Sequence, residues 1–206
     1  MLINKIYLLS TMFAFLPMWS YAQKITLGAC TTKDGGAYKG EMQAGKPHGK
    51  GTAVYKNGDT YEGQYVKGKR QGQGIYSFSD GEKYEGEWFQ DQQHGLGTYY
   101  FKNNNKSVGL WFRDYQQGHG VMYYYNGDKY EGNWLQDKRS GKGKYSFAGG
   151  AYYEGNWLDD KKNGKGVYVW GDGTMYDGNW GDNQRSGKGT NKNYDGDVHI
   201  WHLHTY

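Results

Sequence analysis

The chain has 206 residues and a formal net charge of +4, and its 35 glycines, 22 tyrosines and 8 tryptophans against 2 prolines lie far from ordinary globular usage. A chain so rich in aromatic rings is not intrinsically disordered, and a mild positive charge without a long Lys/Arg run excludes a dedicated nucleic-acid binder. The composition fits a periodic architecture.

The first predicted element is a targeting segment. Lys5 supplies a positive start, Ile6 to Trp19 an apolar stretch, and Ser20-Tyr21-Ala22 a small-residue site, so residues 1–22 read as a signal peptide cleaved after Ala22. The chain is therefore expected to be exported, to a periplasm or a cell surface. An uncleaved anchor helix over Ile6–Ala22 is the competing reading. Leu27-Gly28-Ala29-Cys30 resembles a lipoprotein box that would lipidate Cys30, although Gln23 and Lys24 interrupt it with polar groups. Cys30 is the sole cysteine and has no internal disulfide partner. Residues 23–37 then supply half a hairpin: Leu27 to Thr32 followed by Asp34-Gly35.

From residue 38 the sequence repeats every 23 residues. Tyr38-Lys-Gly40-Glu-Met42 returns as Tyr61-Glu-Gly63-Gln-Tyr65, Tyr84-Glu-Gly86-Glu-Trp88, Ser107-Val-Gly109-Leu-Trp111, Tyr130-Glu-Gly132-Asn-Trp134, Tyr153-Glu-Gly155-Asn-Trp157 and Tyr176-Asp-Gly178-Asn-Trp180. A Gly-x-Gly pair follows in each unit, from Gly49 and Gly51 to Gly187 and Gly189. In Gly74-Ile-Tyr76-Ser-Phe78-Ser-Asp80-Gly81-Glu-Lys-Tyr84, alternating runs flank Asp-Gly, which predicts a hairpin turn with both turn residues at positive φ. Period two puts Tyr76, Phe78, Tyr84, Gly86 and Trp88 on one face and Ser77, Glu85 and Glu87 on the other. A glycine inside each Tyr-x-Gly-x-Trp strand weakens it unless a ring lies over that spot, so neighbouring rings are expected to pack across Gly40, Gly63, Gly86, Gly132, Gly155 and Gly178.

No helical periodicity follows the leader, so no helix is available to cover the aromatic face. The predicted fold is all-β, an elongated single-layer antiparallel sheet of seven hairpins over residues 38–198, on the order of 65 to 70 Å long at 4.8 Å per strand. Residues 199–206 are predicted as a capping strand. The pattern resembles the MORN (membrane occupation and recognition nexus) repeat, and the resemblance implies a binding or scaffolding role and, from the family's name, contact with membranes.

Residue types present in every period are explained by architecture, so the acid ladder of Glu62, Glu85, Glu131, Glu154 and Asp177 does not read as a glycosidase pair, which needs two unlike environments. Gly45-Lys-Pro-His-Gly49-Lys50-Gly51-Thr52 lacks the spacing of a phosphate-binding loop. Strand alternation separates His199 from His202 and His204, which argues against a metal site. Catalytic residues, cofactors and metals are therefore expected to be none, and the chain is read as a non-enzyme.

Tyr61, Tyr65, Tyr84, Trp88, Trp111, Tyr130, Trp134, Tyr153, Trp157 and Trp180 are the candidate binding surface, an aromatic groove for another protein or, by ring stacking, for cell-wall carbohydrate. Lys69, Arg70, Lys138, Arg139, Lys161 and Lys162 are expected to line one edge and meet anionic phospholipid, with Asp137, Asp159, Asp160 and Asp182 beside them favouring a merely solvated edge. The middle of the array departs from the pattern: Asn103-Asn104-Asn105-Lys106 replaces the Asp-Gly turn, Ser107 the leading tyrosine, and Gln92, Gln93, Gln116 and Gln117 the basic residues. A bend, a partner site or drift would each account for it.

Overall fold

The computed structural model describes residues 24–202, for 201 and 202 the backbone alone. The leader expected over 1–22 and His204 lie outside the described residues. The strands carrying Tyr-x-Gly-x-Trp are β2 (Ala37–Gln43), β4 (Thr60–Val66), β6 (Lys83–Phe89), β8 (Lys106–Phe112), β10 (Lys129–Leu135), β12 (Tyr152–Leu158) and β14 (Met175–Gly181). Those carrying Gly-x-Gly are β3 (Lys46–Val54), β5 (Lys69–Ser77), β7 (Gln92–Tyr100), β9 (Tyr115–Tyr123), β11 (Lys138–Ser146), β13 (Lys161–Val169) and β15 (Gln184–Lys192). β1 (Thr26–Thr31) and β16 (Val198–His202) flank them. All sixteen form one antiparallel sheet in strict sequence order, a single layer as expected.

Two turn types alternate along its edges, and the sequence points to the wrong one as the tight turn. The Asp-Gly loops are three-residue loops. Gly81 N–H donates to Phe78 O at 3.1 Å, Phe78 N–H to Glu82 O at 2.9 Å, and only Gly81 is left-handed, at φ 97°. The asparagine turn of the middle repeats keeps this geometry. Asn104 takes φ 64° in the glycine's place, which asparagine tolerates because its short polar side chain eases the left-handed region. The two-residue loops with both residues at positive φ lie at the opposite edge: Gln90-Asp91 at 51° and 73°, Gln136-Asp137 at 49° and 64°, Asp159-Asp160 at 46° and 67°. Neither Asn-Gly nor Asp-Gly marks them. Their strain is held by bonds to the preceding repeat, described below.

Each hairpin carries a bulge where its register shifts, between Gly63 and Tyr65 for β4–β5 and between Gly155 and Trp157 for β12–β13. There the leading tyrosine folds back along its own strand. The Tyr61 ring lies on the paired glycines Gly63 and Gly74, and a methyl group at Gly74 would overlap its phenol. The Tyr61 hydroxyl then donates to Gln64 O at 3.1 Å, satisfying a carbonyl beside the bulge. Tyr84 and Glu87 O (3.1 Å), Tyr130 and Asn133 O (3.0 Å), and Tyr153 and Asn156 O (2.9 Å) repeat the bond. A ring over each of the six expected glycines is thus present, and it comes from the glycine's own strand rather than a neighbour, whereas Gly109 behind Ser107 has none.

The tryptophan of the next repeat closes over this tyrosine edge-on. Tyr61 and Trp88 have centroids 5.3 Å apart at 84°, and Tyr84 and Trp111 5.3 Å at 78°. The indole N–H donates back to the second glycine of the preceding repeat, Trp88 to Gly74 O at 3.2 Å and Trp180 to Gly166 O at 2.9 Å. Each buried ring removes 150–250 Å² from water, worth about 4 to 6 kcal/mol before entropy is counted. The zigzag of rings is the core. It is interrupted once: one cluster runs from Tyr38 to Trp111, a second from Tyr130 to Trp180, and Ser107 stands between them where a tyrosine would join the two.

Candidate binding surfaces

The ten rings expected to form a contact groove are the core itself. Tyr84 and Tyr130 are 0% exposed and Trp111, the most exposed of the ten, 7%. Tyr61, Tyr65, Trp88, Trp134, Tyr153, Trp157 and Trp180 are equally enclosed, because each leading tyrosine lies flat on glycine and each tryptophan covers it. They form no open aromatic groove along the sheet, and the groove expectation is corrected accordingly. Burial also holds the Tyr153 phenol up at about 12.

The basic residues divide by position. Lys69, Lys138 and Lys161 are exposed on the edge, and two of them pair with Asp159 (3.6 Å) and Asp182 (3.2 Å) of the next repeat. Arg70, Arg139 and Lys162 turn inward. Arg139 Cζ stands 4.4 Å from the Trp157 ring centroid and 5.6 Å from those of Tyr130 and Tyr145. Its Nε donates to Asp160 Oδ1 at 2.9 Å and its Nη2 to Asp160 O at 2.8 Å. Arg70 repeats this over Trp88 at 4.6 Å, beside Asp91, and Lys162 Nζ sits 4.4 Å over Trp180. These three side chains cap the core and are not a lipid-facing row. Burial draws the Lys162 ammonium below its ordinary range.

The acid of each two-residue turn also ties neighbouring repeats together. Asp160 Oδ1 accepts from Arg139 N–H at 3.0 Å while Asp160 N–H donates to Arg139 O at 3.1 Å. Asp91, Asp114, Asp137 and Asn183 make the same two bonds one repeat back. On the opposite edge Asp59 accepts from Tyr76 Oη at 2.8 Å and Ser79 N–H at 2.9 Å, and Asp128 from Tyr145 Oη at 2.7 Å and Ala148 N–H at 2.9 Å.

The acid ladder lies on the other face of the sheet, largely occupied in ion pairs. Lys129 donates to Glu131 at 2.7 Å, Lys83 to Glu85 at 3.2 Å, and Lys144 meets Glu154 at 3.4 Å. The Gly45–Thr52 segment is a turn running into β3, without the helix that a phosphate loop needs. Among the described residues no group of three metal-ligating side chains occurs.

Among the described residues nothing covers that second face, and its middle is apolar. Leu96 pairs with Leu110, Thr98 with Val108, and Val108 with Val121, so β7, β8 and β9 bring Leu96, Val108, Leu110 and Val121 side by side, with Phe112 at the rim. Leu96 is 61% and Leu110 42% exposed. Shallow polar grooves flank the patch, one of about 600 Å³ over Glu62, Gln64 and Gln73, and one of about 790 Å³ over Asn133, Lys142 and Glu154. Reading only the aromatic face misses this patch. The signal was there: repeat four has Val108 and Leu110 where other repeats place acids, amides or Lys39. A second apolar row, Val66, Phe89, Phe112, Leu135 and Leu158, runs along the edge of the two-residue turns, each member exposed.

The MORN repeat model matches residues 38–60, 61–83, 84–106, 108–129, 130–152, 153–175 and 176–198, and the chain belongs to that family of repeats. The fourth match opens one residue after Ser107. A search of curated protein sequences finds no significant match. Among solved structures, the chain is similar to the Drosophila melanogaster SAS-4 (dCPAP) TCP domain bound to a proline-rich motif of Ana2 (dSTIL). Identity there is 13% over 98% of this chain and 99% of that one, with a TM-score of 0.48. The Danio rerio CPAP TCP10 domain, in complex with a STIL peptide, shows 15% identity over 86% and 100%, TM-score 0.33. Virginiamycin B lyase from Staphylococcus aureus shows 10% over 90% and 73%, TM-score 0.22.

Proposed function

We propose that this MORN-repeat chain is a non-enzymatic scaffold, exported to the cell envelope, that binds another protein through the uncovered face of repeats three and four. The observation behind it is the apolar patch on β7–β9. A single-layer sheet has nothing of its own to lay over Leu96, Val108, Leu110 and Phe112, and contiguous exposed apolar area rimmed by polar grooves is characteristic of interaction sites. A photo-crosslinking residue at Leu96, expressed in the native host, should give a discrete protein adduct that disappears when Leu110→Asp is added. The same crosslinker at Glu154, on the polar part of the face, should give none. An adduct at Leu96 that survives Leu110→Asp refutes the patch as the contact.

A second reading rests on the edge row. Val66, Phe89, Phe112, Leu135 and Leu158 stand beside Lys69, Lys138 and Lys161, the arrangement a peripheral membrane contact uses. Flotation with anionic vesicles across a salt series tests it: the protein should float at low salt, and Phe89→Ser with Leu135→Ser should abolish floating. Flotation by that double variant equal to the parent's rules the edge out.

A further inference from the structure

In three repeats the protein shows how a cation is held against its aromatic face, and in two others the cation is missing. The Arg70, Arg139 and Lys162 sites are alike: a tryptophan floor, two tyrosine walls and an Asp or Asn from the next turn. At the equivalent positions of repeats three and four stand Gln93 and Gln116, which end short of where a guanidinium would lie. The first site keeps the rest, whereas the second keeps the tryptophan and the acid but has Ser107 and Met122 in place of the two tyrosines. Trp111, Tyr84, Tyr99 and Asp114 surround the first position, with Tyr84 5.3 Å and Tyr99 6.0 Å from Trp111. Trp134, Met122 and Asp137 surround the second. Neither Asp114 nor Asp137 has a cation within 4.0 Å among the described residues, unlike Asp91 and Asp160.

The two sites open into one cavity of about 640 Å³, walled by Tyr99, Trp111, Met122, Trp134, Asp114 and Asp137, a volume in the range of ligand pockets. Two buried donors packed against Gly120, on residues that line the cavity, also lack partners. Trp134 Nε1 has lost the carbonyl bond that Trp88, Trp157 and Trp180 make, and Gln116 Nε2 faces no acceptor, its Oε1 being engaged by Ser107 Oγ at 2.8 Å. Gln116 is 3% exposed. Buried donors are normally satisfied. An occupant that brings a planar cation to the rings and carboxylates completes the set.

We propose that this cavity is a binding site for an arginine side chain of a partner polypeptide, its guanidinium standing where Arg70 and Arg139 stand in their own repeats. The site lies on the opposite face from the β7–β9 patch and does not depend on it. Rings and carboxylate together select a guanidinium, which stacks and forks in a way a point charge does not.

The probe is N-acetyl-arginine N-methylamide, titrated against the full chain and followed by the indole N–H resonances of Trp111 and Trp134. Saturable shifts confined to these two indoles are expected. Asp114→Asn with Asp137→Asn should weaken binding about tenfold or more, and Gln93→Arg or Gln116→Arg, which puts the chain's own cation back, should abolish it. Leu110→Asp should leave it unchanged, so failure here and failure of the patch are read separately. Gln93→Arg and the Asn variants keep the test alive should Gln116→Arg not fold. Equal shifts with the uncharged norleucine analogue, or undiminished binding by Gln93→Arg, overturn the proposal. Tighter binding of spermidine or tetramethylammonium overturns the polypeptide source in favour of a free amine.

Discussion

The interruption of the core at Ser107 implies that damage on one side does not travel to the other. Tyr153→Ala tests this. The ring covers Gly155 and Gly166, meets Trp157 at 5.2 Å and Trp180 at 5.3 Å, and its hydroxyl holds Asn156 O. Truncating a fully buried aromatic ring costs about 3 to 5 kcal/mol. In a stacked array that cost falls on the altered repeat and its neighbours, and coupling through the junction is weak because no ring bridges Trp111 and Tyr130. At 1.4 kcal/mol per tenfold, amide exchange in β11–β14 should speed up by roughly 10² to several times 10³, while β3–β6 stays within a few-fold of the parent. Hydrogen exchange read by mass spectrometry on peptides from each half gives the comparison. An equal rise in both halves refutes two separately cooperative clusters, and a rise below tenfold in β11–β14 refutes the assignment of Tyr153 to the core.

Other outcomes follow from the same geometry. Gly164→Ala at φ 75°, where the new methyl makes only ordinary contact with Asn156, and Gly173→Ser at φ 84° in an open loop both incur the left-handed backbone cost and should each lose about 1 to 2 kcal/mol by urea unfolding. Asp160→Ala removes the acceptor for Arg139 N–H and Nε, and because that carboxylate is 45% exposed a loss of about 1 to 2 kcal/mol is expected, against under 0.5 for Asp159→Ala, whose pair with Lys138 is more exposed. Burial works against the charged forms of Asp59 and Asp128, but the bonds from Ser79 and Ala148 N–H and from Tyr76 and Tyr145 outweigh it and hold both carboxyls below their ordinary value. Their contribution is therefore full above about pH 4 and is lost as pH falls below that, through the lower folded values. The urea midpoint of the parent should drop more between pH 5 and 3 than that of Asp59→Asn with Asp128→Asn.

The architecture was legible because its determinants are local and periodic. Tyr-x-Gly-x-Trp, the Gly-x-Gly pair and the two-residue alternation each state their own face and strand, and repetition removes the ambiguity a single hairpin would carry. The turn geometry was not. Asp80-Gly81 looks like a two-residue turn but lies in a three-residue loop, and the two-residue turn is Gln90-Asp91 at the opposite edge, where the strain is met by a bond to a residue twenty-one positions earlier, invisible in the local composition. The binding surface was misplaced for a related reason. Aromatic residues were assigned to contact because a single sheet has no second layer, whereas here glycine lets a tyrosine lie flat on its own strand and act as that layer. What remained exposed was the opposite face, marked only by Val108 and Leu110 standing where charge or amides are usual.

The bonds that join one unit to the next have a short reach. An indole reaches back 14 residues and a turn carboxylate 21, both inside one 23-residue period. No bond of either kind skips a neighbour, so whole units could be spliced in or cut out on either side of Ser107 with each surviving junction formed as before. The ribbon is therefore a gauge of adjustable length with a fixed mark: the distance from the cavity at Trp111 and Trp134 to either tip would change in steps of one hairpin, and nothing at the mark itself would have to be rebuilt.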